Sequence, residues 1–167
     1  MSEMIEQLAS KYGLFLCVEC GKCVAICPIG EIFNNFSYEI SPRGVIERIM
    51  IDPEIPEDDS LWFCLTCDLC TDLCPAGVRF RDFVEVTRQW LIKTGITQYG
   101  SFCENCGKYL YPRYILEYMK QTLGDEAEEF LRLCPSCRRY EIGEKLKTLL
   151  PGKRKVSSPR VQVGDNR

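Results

Sequence analysis

Apolar residues recur at three- and four-residue steps from the start of the chain. Ile5, Leu8, Ala9 and Tyr12 fall on one helical stripe, with Ser2 as an N-cap and Gly13 as a stop, which predicts a helix between them. A mixed segment with Ile32, Phe33 and Phe36 leads to Ser41-Pro42, a capping hydroxyl followed by proline at the first helical position. The helix it opens, RGVIERIM, puts Val45, Ile46 and Ile49 on one face. Asp52–Asp59, DPEIPEDD, reads as a proline-broken acidic loop, after which Ser60 caps a short turn through Leu61 and Trp62. From Arg81 to Thr94, Phe83, Val84, Thr87, Trp90 and Leu91 lie at helical spacing, closed by Gly95. A boundary falls at Gly95–Gly100. Beyond it Tyr114, Ile115, Tyr118 and Met119 share a face, and Glu126–Leu133 reads as further helix.

What interrupts these helices is cysteine. Eight of the twelve fall into two copies of C-x2-C-x2-C-x3-C-P: Cys17, Cys20, Cys23, Cys27 with Pro28, and Cys64, Cys67, Cys70, Cys74 with Pro75. Three thiolates spaced by two residues wrap one corner of a cluster, and the fourth leaves on a segment begun by proline. Zinc takes its ligands in pairs and has no use for the triple run. Each copy is similar to the bacterial ferredoxin run that holds a cubane [4Fe–4S] cluster, and in two-cluster ferredoxins the fourth cysteine ligates the other cluster. The similarity implies cluster one on Cys17, Cys20, Cys23 and Cys74, and cluster two on Cys64, Cys67, Cys70 and Cys27.

The remaining four cysteines form two knuckles, Cys103-x2-Cys106 and Cys134-x2-Cys137, with Gly107 following the first pair and Pro135 inside the second. Such pairs read as a tetrahedral four-cysteine site for Zn2+. Mononuclear iron and a third cluster are the alternatives, since a tetrahedron of thiolates suits zinc or iron. A module of this size lacks the core to fold alone, and a structural Zn2+ supplies folding free energy directly.

Composition narrows the chemistry. The 167 residues suit one domain or two small ones, and twelve cysteines in a chain this short call for inorganic staples or disulfides. The absence of histidine excludes Rieske centres, His-ligated haem and His-dependent nucleophilic machinery. The first fifteen residues lack a secretory signal, and no apolar run approaches the roughly 20 residues of a membrane span. The expectation is a cytoplasmic protein in a reducing, anaerobic setting. Charge is uneven: 21 basic against 24 acidic residues overall, with Lys153, Arg154, Lys155, Arg160 and Arg167 gathered in a basic tail expected to be solvated and disordered. Phe15, Trp62, Phe63 and Phe80 are expected to cover the sulfurs from water.

CVECGKCVAICP, then SPRGVIERIM, then SLWFCLTCDLCTDLCPAGVRFRDFVEVTRQ resembles the small iron–sulfur subunit of heterodisulfide reductase, across about residues 10–95. The same all-helical ferredoxin domain occurs in the iron–sulfur subunits of succinate dehydrogenase and glycerol-3-phosphate dehydrogenase. The resemblance implies a mainly α fold with a helical two-cluster ferredoxin domain over 1–95. The helix-containing, zinc-ribbon-like module of four cysteines over 96–150 is a departure from that subunit, read from the cysteine spacing, and the charge pattern sets off the tail over 151–167. The resemblance also implies a relay of electrons between a flavin-containing iron–sulfur subunit and the catalytic subunit of a multi-subunit oxidoreductase. The adjacent-cysteine motif of the family's disulfide-reducing subunit is absent, so that step is expected in another chain and no catalytic residue is assigned. The alternative is a redox-sensing or nucleic-acid-binding iron–sulfur protein. Residues 96–150 weigh against it, with eight basic residues balanced by eight acidic ones where a nucleic-acid reader needs a basic face.

Overall fold

The computed structural model describes residues 2–34, 36–52, 59–124 and 130–149. The expectations for the acidic loop across 53–58, for the helix start at 126–129 and for the tail over 151–167 lie outside them.

The chain is mainly helical. Helix α1 (Ser2–Lys11) ends where Gly13 turns left-handed at φ 73°, a conformation that favours a residue without Cβ. Short helices α2 (Lys22–Ala25) and α3 (Ile29–Ile32) flank the last cysteine of the first run. Helix α4 (Pro42–Ile51) starts as its sequence predicts: the Ser41 hydroxyl accepts from the Gly44 N–H at 3.1 Å and donates to the Tyr38 carbonyl at 2.6 Å, with Pro42 in the first turn. A 3-10 turn (Ser60–Trp62) leads into the second cysteine run, where α5 (Leu69–Asp72) mirrors α2. Asp59, rather than Ser60, holds the cap position of that turn. Helix α6 (Phe80–Lys93) then runs across the domain.

The predicted stripes meet in one core. Ile5, Leu8, Ala9 and Tyr12 of α1, Val45, Ile46 and Ile49 of α4, and Phe80, Phe83, Val84 and Leu91 of α6 close around Leu14, Leu61, Trp62 and Val78. Each large apolar side chain fully withdrawn from water there contributes roughly 1.5–3 kcal/mol. The Arg79 N–H donates to the Tyr12 carbonyl at 3.0 Å, tying the segment after the second run to the end of α1.

Past Gly95, a hairpin of β1 (Gly100–Phe102) and β2 (Tyr109–Pro112) pairs Gly100 with Pro112 and Ser101 with Tyr111, then shifts register before Phe102. Helix α7 (Arg113–Leu123) follows, and α8 (Pro135–Leu149) springs from the second knuckle. Neither the hairpin nor α8 is announced by the hydrophobic pattern. This second unit sits on the first through aromatic rings: Trp62 meets Tyr99 and Tyr109 at centroid distances of 6.0 and 6.1 Å, and Phe33 meets Tyr118 at 6.1 Å. Among the described residues, no helix is long and apolar enough to cross a membrane.

Candidate metal centres

Both cysteine runs take the same backbone path. The third and fifth residues of each run are left-handed: Glu19 (φ 55°) and Gly21 (φ 74°) in the first, Thr66 (φ 53°) and Asp68 (φ 71°) in the second. These turns fold the first two cysteines back toward the third, which rides on α2 as Cys23 and on α5 as Cys70. The Thr66 N–H donates to Cys64 Sγ at 3.3 Å, and the Val78 N–H to Cys74 Sγ at 3.4 Å. A cation from a following helix pins each loop: Arg43 of α4 pairs with Glu19 at 3.0 Å, and Arg81 of α6 with Asp68 at 3.2 Å. These are surface pairs worth a fraction of a kcal/mol each, and their value is in orientation.

Two clefts result. The first is lined by Cys17, Cys20, Cys23 and Cys74, the second by Cys64, Cys67, Cys70 and Cys27. Cys70 and Pro42 border both, so the clefts adjoin. The fourth cysteine of each run thus faces the cleft of the other run.

Cys27, Cys64 and Cys70 resist ionisation by themselves. Burial, reinforced by the charges of Cys64 and Cys67, pushes Cys27 up to about 11 against the pull of the Ile29 N–H. Burial likewise pushes Cys70 up to about 12, with Cys64 adding to it. Burial raises Cys64 too, opposed first by the charge of Arg88. Crowded thiols of this kind become thiolates when a metal supplies positive charge, and an all-thiolate donor set suits iron–sulfur chemistry. Of the expected aromatic cover, Trp62, Phe63 and Phe80 are buried. Phe15 is not: in the 3-10 turn Leu14–Leu16 only Leu14 points inward, and Phe15 is 42% exposed.

The four remaining cysteines converge. The Sγ atoms of Cys103, Cys106, Cys134 and Cys137 all lie within 4.8 Å of one another, with Cys106 and Cys134 3.7 Å apart. A tetrahedron with metal–sulfur bonds of about 2.3 Å has edges of about 3.8 Å, so the donors stand near bonding positions. Gly107 (φ 67°) closes the first knuckle through its N–H to the Cys103 carbonyl at 2.9 Å. Burial alone would raise the Cys103 thiol. The N–H groups of Cys134, Cys106 and Asn105 outweigh it and bring the thiol down to about 6. The Cys137 N–H lowers Cys134 in the same way. Cys137 goes the other way, pushed up to about 12 first by its hydrogen bond to Cys134. Four converging sulfurs whose ionisation is linked in this way fit a metal that takes thiolate ligands, zinc or iron alike.

One participant is not singled out by the sequence pattern. Arg88 lies on the buried side of α6, four residues after Val84, and is only 4% exposed. A charged residue on an apolar stripe is the signal that marks it.

With the geometry in view, comparison with known proteins adds one match. The model of the 4Fe-4S dicluster domain matches residues 13–78, which span both cysteine runs. No curated protein and no solved structure matches the chain.

Proposed function

We propose that this chain is the electron-transfer subunit of a cytoplasmic, heterodisulfide-reductase-like complex of an anaerobe. It carries two [4Fe–4S] clusters in residues 1–95 and a structural Zn2+ in the module over 96–150. The observation that carries the reading is the placing of Cys27 and Cys74 opposite their own runs, within the stretch that the dicluster domain matches. Cluster one is then held by Cys17, Cys20, Cys23 and Cys74, and cluster two by Cys64, Cys67, Cys70 and Cys27. Bound there, the clusters supply one-electron transfer.

The chain's own residues do the rest. Four thiolates assigned to each cluster leave no open position for a substrate, so this chain relays electrons rather than transforming a molecule. Cys20 and Cys67 are exposed, which brings each site to the surface where a partner can exchange electrons with it. The partners are a flavin-containing iron–sulfur subunit on one side and a catalytic subunit on the other. The module from Cys103 to Cys137 fixes the aromatic contacts that lie over the second cysteine run.

Anaerobically purified protein is expected to hold about eight irons in clusters per chain, one zinc, and two reducible centres. It should accept electrons from a low-potential donor and pass them to an artificial acceptor, yet leave disulfides uncleaved. Disulfide reduction by the isolated chain at enzymatic rates would end this reading.

A further inference from the structure

Arg88 is the only charged side chain among the buried residues described. Its Nε donates to the Leu61 carbonyl at 3.0 Å, its Nη2 to the Leu61 carbonyl and to the Cys64 carbonyl at 2.7 Å, and its guanidinium lies 5.6 Å from the centre of the Trp62 ring. Every one of these acceptors is neutral. Arg43 beside the first cleft and Arg81 beside the second are each tied to a carboxylate at the surface, and the exposed Lys22 also borders the first. Arg88 has no ion pair among the described residues, although the charge of Glu85 acts on it.

Such a charge is costly to bury, and guanidinium cannot shed its proton to escape the cost. If Arg88 served only to tether the Leu61 and Cys64 carbonyls, a neutral amide would do so at lower cost. A buried cation is favourable where negative charge collects, and the residue it grips is Cys64, a thiol of the second cleft. Trp62 and, from β2, Tyr109 close over the spot, 6.1 Å apart at their ring centres, and Arg88 is only 4% exposed, so water screens the charge poorly. Among the described residues the first cleft has no buried cation to match it. The two sites therefore share backbone, thiols and a surface arginine–carboxylate pair; the first adds the exposed Lys22, and the second adds the buried Arg88, whose charge is the one shielded from water.

Resting on the electron-transfer reading above, we propose that Arg88 makes the site at Cys64 the more oxidising of the two. A fixed positive charge favours the reduced, more negative state, and net charge and exposure are among the quantities that set such potentials. One electron entering at the Cys20 side would then pass to the Cys67 side and rest there, which gives the relay a direction. Arg88 acts through Cys64 and its surroundings, as a positioning and tuning residue.

The test is a redox titration of the full-length, cluster-loaded protein by electron paramagnetic resonance. Cys20→Ser and Cys67→Ser identify which signal belongs to which site. Arg88→Gln keeps an N–H donor for the carbonyls and removes the charge, while Arg88→Met removes both. Both variants are expected to shift the Cys67-side couple toward lower potential by at least tenfold in its equilibrium, about 59 mV for one electron, and to move the Cys20-side couple much less. No shift in either variant, or a shift in Arg88→Met alone, would overturn the inference, the latter because it marks a tether rather than a charge. Should neither variant fold, the wild-type ordering decides: a Cys67-side potential above the Cys20-side one upholds the proposal, and the reverse ends it. A wild-type chain with fewer than two reducible centres would instead sink the electron-transfer reading, and the inference with it.

Discussion

The rings of Phe63 and Tyr114 lie stacked, with centroids 4.3 Å apart and planes 12° from parallel. Phe63 directly precedes Cys64, and Tyr114 lies in the first turn of α7 in the second unit, so this pair couples a cluster loop to the four-cysteine module. Phe33 packs edge-on against the same Phe63 at 5.3 Å, adding the segment after the first run. The Tyr114 hydroxyl donates to the Asp59 carboxylate, which anchors the start of the turn leading into the loop.

Removing that hydroxyl should therefore be felt at a distance. Tyr114→Phe is expected to cost about 1 kcal/mol, and Tyr114→Ala about 2–3 kcal/mol through the lost stack and the cavity left behind, both read by urea unfolding of the metal-loaded protein. Burial, with Asp59 second, raises the Tyr114 pKa above the tyrosine range. The folded state thus holds this proton more tightly than the unfolded one. Its contribution is complete below the unfolded value of about 10 and is lost as pH rises beyond it. Tyr114→Phe should remove that alkaline decline.

Gly44 tolerates no side chain. A Cβ there would lie 2.1 Å from the Tyr38 carbonyl oxygen, a backbone atom that cannot swing aside, because the Ser41 hydroxyl holds it. Gly44→Ala is expected to cost about 3 kcal/mol, although alanine is the better helix former and an exposed site would gain from the change. Thermal unfolding of the variant beside Ser41→Ala, which loses a cap worth about 1 kcal/mol, separates overpacking from cap loss.

Helices α1, α4 and α6 were legible because each buries one stripe, and the spacing of Ile5, Leu8, Ala9 and Tyr12 records that directly. Helix α8 was not. None of its residues is buried, so it carries no stripe, and pairs such as Glu141 with Lys145 at 3.2 Å line its surface instead. The hairpin was too short to alternate visibly, with three residues in β1 and four in β2. At the sites, the cysteine spacing disclosed the donors, while the left-handed turns at Glu19 and Thr66 and the burial of Arg88 depend on packing between distant segments that no local pattern encodes.

The four-cysteine site should behave as a separable staple. In Cys134→Ser one donor of the tetrahedron is lost, and metal binding there supplies folding free energy to a unit with a small core of its own, Cys103, Leu133 and Cys134. Amide hydrogen exchange is expected to rise across 100–123 and 130–149 while the iron held by the other eight cysteines remains. Chelator treatment of the wild type should reproduce the pattern. Loss of cluster iron in step with the zinc would contradict this independence.

Crossed ligation makes the sharpest prediction, because it links residues far apart in sequence and separates neighbours. Cys27 borders the cleft of Cys64, Cys67 and Cys70, and not that of Cys17, Cys20 and Cys23, although only three residues divide it from Cys23. Cys27→Ala and Cys64→Ala should each remove about half of the cluster iron by emptying the same site. Their combination should remove no more than either alone, since residues acting on one site are not additive. Cys27→Ala with Cys17→Ala should remove both halves. Local ligation, with Cys27 completing its own run, requires the opposite: additive loss with Cys64→Ala and none beyond the single variant with Cys17→Ala. Iron content and the number of reducible centres in these variants decide between the two, and the additive result for Cys27 with Cys64 would overturn the crossed assignment.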